Sequence, residues 1–126
     1  MPIKSYQDLI VWQKAMDLSV AIYELSNDFP VDERFGLTAQ VRRSSVSVAA
    51  NIAEGYGRDS DGDFTRYLRI SQGSLKETET HLVLAERLGF VSGKDIAGLM
   101  AVSEEIGKML RSLIAKIGTA RTGQQT

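Results

Sequence analysis

Only two prolines occur in 126 residues, Pro2 and Pro30. A chain with so few helix breakers can run its apolar residues through long uninterrupted helices. The apolar pattern does this. Val11, Ala15, Leu18, Ile22, Leu25 and Phe29 are spaced by alternating fours and threes, the spacing of one helix face. Trp12, Met16, Ser19 and Tyr23 form a second row beside them, which predicts a wide buried face. The pattern predicts a first helix over residues 6–29. Ser5 and Asp8 form a Ser-x-x-acid cap at its start, and Pro30 forces it to stop.

Three further helices follow by the same reading. Leu37, Val41, Val48 and Ile52 mark a second helix from residue 35 or 36 to 54, with Gly55 and Gly57 as its stop. Its remaining interior candidates are small (Ala39, Ser47, Ala49, Ala50, Ala53), which predicts a central, closely packed helix. A third helix, capped by Ser60 and Asp63, carries Phe64, Leu68, Ser71, Leu75, Thr78, Leu82 and Ala85 at heptad-like spacing and ends at Gly89. A fourth, capped by Ser92 and Asp95, carries Ile96, Leu99, Ser103, Ile106, Leu110, Leu113 and Ile117, with Gly118 as its stop. The connections are short, so consecutive helices must run antiparallel. The expected fold is all-α, an antiparallel up-down-up-down four-helix bundle over residues 1–118, followed by a polar flexible tail, 119–126.

Composition removes most chemistry. There is no cysteine, hence no disulfide, thiolate metal site or cysteine nucleophile, and a lone histidine, His81. A di-iron bundle needs two Glu-x-x-His pairs and two more glutamates; here Glu77 and His81 stand alone, so no metal and no cofactor are expected. Gly55-Tyr56-Gly57 closes a helix, whereas a phosphate loop opens one after a strand. Neighbouring acids such as Glu104 and Glu105 do not face each other on a helix. No catalytic constellation emerges, and the expectation is a non-enzyme. No apolar run is long enough for a membrane span or a signal peptide, which predicts a cytoplasmic protein without a membrane partner.

Charge distribution is more informative than the net charge of −1. Between Arg34 and Lys76 there are seven basic residues against four acidic ones, Glu54, Asp59, Asp61 and Asp63. Six of the seven are arginines, the side chain that forks onto phosphates. Arg42, Arg43, Arg58, Arg66 and Arg69 are therefore candidates for contact with RNA, DNA or an acidic partner. The competing reading pairs the same arginines with carboxylates within or between subunits. A second feature is a polar row on helix 2: Gln40, Ser44, Ser47 and Asn51 share a face next to Glu54. Buried polar groups must be hydrogen-bonded, and Ser71, Ser74, Glu77 and Thr78 on helix 3 are the candidate partners. A solvated face or a polar subunit interface are the alternatives.

The run from Gln40 to Arg58, QVRRSSVSVAANIAEGYGR, resembles the signature of the four-helix bundle S23 family, proteins encoded in intervening sequences of bacterial 23S ribosomal RNA genes. Residues 8–15, Phe29-Pro30, residues 35–38, Phe64, residues 67–68, residues 73–77 and Leu88-Gly89-Phe90 are similar to other segments of that family. Asn51, Glu54, Gly55, Ser74 and Glu77 belong to this motif. Ala49 stands where many members carry proline. The resemblance covers residues 6–117. It implies an antiparallel bundle that assembles with itself into a ring-like homopentamer, without enzyme activity. The accessory variability proteins of diversity-generating retroelements are similar; by that similarity RNA or DNA, and a reverse transcriptase if the gene is retroelement-linked, are implied partners.

Overall fold

The computed structural model describes residues 3–125, and side chains as far as Thr119. Four helices follow one another: α1 (Ile10–Ser26), α2 (Leu37–Tyr56), α3 (Asp61–Arg87) and α4 (Gly93–Gln125). Short 3-10 turns at Tyr6–Asp8 and Val31–Glu33 precede α1 and α2. Each helix packs against the next, and α4 returns to α1, so the four form a closed four-sided bundle. Among the described residues there is no strand. The core is filled by Leu18 and Ile22, by Val41, Val48 and Ile52, by Leu68, Leu75 and Leu82, and by Ile106 and Leu110, all essentially inaccessible to solvent. Burying each such side chain contributes about 1.5–3 kcal/mol.

The helix ends show which local signals set the chain's path. Ser60 Oγ accepts from the Asp63 N–H at 3.1 Å and opens α3. Ser92 and Asp95 exchange side-chain bonds to each other's N–H at 3.1 and 3.4 Å and open α4. Gly89, at φ +79, closes α3: Phe90 N–H reaches the Ala85 carbonyl and Gly89 N–H the Glu86 carbonyl, both at 2.9 Å. A left-handed residue there favours glycine.

Three boundaries differ from the sequence expectation. The Ser5–Asp8 box forms, but it caps a single 3-10 turn. Leu9 then takes extended angles, which sends its side chain into the core, and α1 starts at Ile10. At its other end α1 stops at Ser26, short of Phe29. The chain tightens over Asn27–Phe29 so that Phe29 turns inward against Phe90, ring centres 5.8 Å apart. α2 ends at Tyr56, between Gly55 and Gly57, as expected, whereas Gly118 does not stop α4 and has no left-handed backbone. The backbone therefore stays helical through 119–125, the segment set apart as a tail; Thr126 and the side chains after Thr119 lie outside the described residues. Gly55 has a further duty. A Cβ there would fall 2.6 Å from the Tyr67 Cβ and 3.3 Å from the Phe64 carbonyl, so glycine lets α2 and α3 approach.

Candidate functional site

The polar row of α2 meets α3 along the closest seam of the bundle. Ser71 Oγ donates to the Val48 carbonyl at 2.6 Å. Thr78 Oγ1 lies 2.9 Å from Ser44 Oγ and 2.9 Å from the Ser74 carbonyl. Ser47 and Ser74 hydroxyls are 2.9 Å apart, and Asn51 Nδ2 donates to the Ser47 carbonyl and hydroxyl at 2.8 and 2.9 Å. Ser44, Ser71, Ser74 and Thr78 are all buried. Small hydroxyl side chains serve here because each crosses the seam, satisfies itself, and adds little width. At the outer edge of the seam a cleft of about 400 Å³ is lined by Gln40, Arg43, Ser44, Ser47 and Glu77. Glu77 Oε1 stands 3.7 Å from His81 Nε2, a nitrogen that is itself buried without a hydrogen bond.

The five candidate arginines do not converge. Arg42 is held by α1: its Nε donates to Ser26 Oγ at 2.8 Å, a terminal nitrogen donates to Asn27 Oδ1 at 3.0 Å, and its guanidinium lies 4.6 Å from the centre of the Tyr23 ring. Arg58 bonds Glu54 at 3.0 Å and the Tyr67 hydroxyl at 2.7 Å. Tyr67 foremost, and then Glu54, stabilise its charge and raise its pKa above the usual arginine value. Arg66 sits over the Tyr67 ring at 4.6 Å and 3.8 Å from Asp63. The α2–α3 turn is thus a cluster in which Asp59, Asp61 and Asp63 interleave with the cations. Only Arg43 and Arg69, of the five, are exposed without a partner in the chain.

Two features escape the motif reading. The first lies on the α1–α2 side. Met16 and Tyr23, expected in the buried row, are 40% and 45% exposed; with Val20 at 56% and Val46 at 44% they form an apolar stripe on the surface. Spacing finds an apolar face but does not distinguish core from interface. The second is the end of α4. From Ile106 onward the chain has Lys108, Arg111, Lys116 and Arg121 and no acidic residue. Lys108 lies 3.6 Å from Glu104, while Arg111 and Lys116 have no partner. Counting charge in windows along the chain would have found it.

The profile of the 23S rRNA-intervening sequence proteins matches residues 7–112. This chain belongs to that family. A crystal structure of a protein of unknown function from the S23 ribosomal protein family of Bacteroides thetaiotaomicron superposes on it with a TM-score of 0.76, at 33% identity, covering 83% of this chain and 98% of the other. No curated protein matches this intervening-sequence protein. Among the described residues, no three histidine, aspartate or glutamate side chains are grouped to hold a metal ion, and no helix is long and apolar enough to cross a membrane.

Proposed function

We propose that this intervening-sequence protein is a non-enzymatic building block that acts as an assembly of identical copies, pentameric as the family resemblance implies. One observation carries the reading: the continuous stripe of Met16, Val20, Tyr23 and Val46 left open to solvent. Contiguous exposed apolar surface marks interaction sites. The occupations of the polar groups support it. Ser44, Ser45, Ser47, Ser71 and Ser74 are spent on bonds across or within helices, and Arg42, Arg58 and Arg66 on aromatic rings. Light scattering on the purified chain, at micromolar concentration, tests the reading; a mass of 13.9 kDa, that of one chain, sinks it.

A second reading, contact with RNA or DNA, is favoured by the acid-free end of α4. Arg111 and Lys116 would meet phosphates there with little base reading. Fluorescence anisotropy against structured RNA and duplex DNA at two salt concentrations tests it. Each lost phosphate contact, as in Arg111→Ala, should reduce the slope of log affinity against log salt by about 0.7–0.9. An absence of binding at low salt removes this reading and leaves the first intact.

A further inference from the structure

The cleft at the outer edge of the α2–α3 seam holds charges that the chain leaves unspent. Gln40, Arg43 and Ser47 share one face of α2, and Glu77 lines the same cleft from α3. Among the described residues, Arg43 is exposed without a partner, and the exposed Gln40 carboxamide makes no hydrogen bond. Glu77 has His81 Nε2 as its ionic neighbour, at 3.7 Å, beyond hydrogen-bonding distance. Arg43 and Glu77 therefore share a cleft of about 400 Å³ without forming an ion pair across it.

The floor of the cleft is fixed. Ser44 Oγ donates to the Val41 carbonyl at 3.2 Å and lies 2.9 Å from Thr78 Oγ1. Ser47 Oγ is bonded to Ser74 Oγ and to Asn51 Nδ2, both at 2.9 Å. A ligand meets a preformed surface and need not order it. The volume falls within the range of small-molecule sites, about 300–1,000 Å³.

Two opposite charges that do not pair select by subtraction. An anion drawn to Arg43 is opposed by Glu77, and a cation drawn to Glu77 is opposed by Arg43. A molecule carrying both charges gains from each. The guanidinium fork takes a carboxylate bidentately. An ammonium brings three donors, which the Glu77 carboxylate and the Gln40 carbonyl oxygen accept. We propose that the cleft binds a small zwitterion, an α-amino acid, with its carboxylate on Arg43 and its ammonium between Glu77 and Gln40. The site goes beyond the self-assembly reading and does not rest on it.

Calorimetric titration of the purified chain with L-alanine, L-glutamine and L-leucine tests it. At least one of them should bind saturably at millimolar concentration, one molecule per chain. Its N-acetyl derivative, which lacks the ammonium, and its amide, which lacks the carboxylate, should each bind about tenfold more weakly or worse. Arg43→Gln and Glu77→Gln, both at exposed positions, should each weaken the parent amino acid by about tenfold with circular dichroism unchanged. Glu77→Gln should at the same time strengthen the N-acetyl derivative, because the repulsion of its carboxylate is gone. A structural role for Glu77 does not produce that reversal. Equal binding of the parent and its blocked forms overturns the proposal, and so does a Glu77→Gln variant that weakens the parent and the N-acetyl derivative alike. The blocked forms test the site on the wild-type chain should a variant fail to fold. If none of the three amino acids binds saturably, the proposal falls and self-assembly stands. If either variant lowers the assembled mass while no amino acid binds, the two charges pair between copies, which also overturns the site.

Discussion

The α2–α3 seam and the α1–α2 outer side reverse the usual distribution of side chains. The inner line of the seam is buried, yet Ser44, Ser71 and Thr78 cross it. The outer side is open to water, yet holds methionine, valine and tyrosine. The contrast separates two ways of using a helix face. At the seam the requirement is closeness, and a hydroxyl is a short side chain that carries its own hydrogen bond. On the outer side, under the proposed self-assembly, the requirement would be transferable area, at about 25 cal/mol for each Å² removed from water.

Four substitutions bear on this contrast, from the largest expected effect downward. Leu75→Ala empties a buried site in α3 and should cost about 2–5 kcal/mol in urea unfolding, the benchmark for a purely apolar core position. Gly55→Ala forces a methyl against Tyr67 and should cost about 1–3 kcal/mol, because the two helices must part. A neutral result would show that the seam has slack, and closeness would no longer explain its small side chains. Ser71→Ala removes one cross-helix bond but leaves the width unchanged; about 1 kcal/mol is expected by the same measurement. Val20→Ser, on the outer side, should change unfolding of the separated chain by less than about 0.5 kcal/mol. It should nonetheless reduce the assembled mass in sedimentation. If it destabilises the single chain as Leu75→Ala does, the outer stripe belongs to the core and the comparison collapses.

Local features were legible in the sequence to the extent that their causes were local. The caps at Ser60 and Ser92 and the reversal at Gly89 depend on residues within a turn of one another, and they stand as expected. The hydroxyl partners were legible too, since the polar rows on helices 2 and 3 had each other to satisfy. The role of Gly55 was not, because it depends on Tyr67 across the seam rather than on its own helix. The arginines misled for the same reason. Arg42 and Arg43 are neighbours in the chain but point to different sides, one onto Tyr23 and the other into the cleft with Glu77. Met16 and Tyr23 fit the helical period of a core row, and interface rows have that period as well.

The tight connection between α2 and α3 has a kinetic consequence. Residues 57–60 join the two helices that pack most closely, so closing that loop costs little entropy. Contacts between α1 and α4, such as Lys14 to Glu105 at 3.0 Å, span most of the chain. Near neighbours in sequence meet sooner than distant ones. The hydroxyl-bonded α2–α3 hairpin can therefore close before the α1–α4 side of the bundle does.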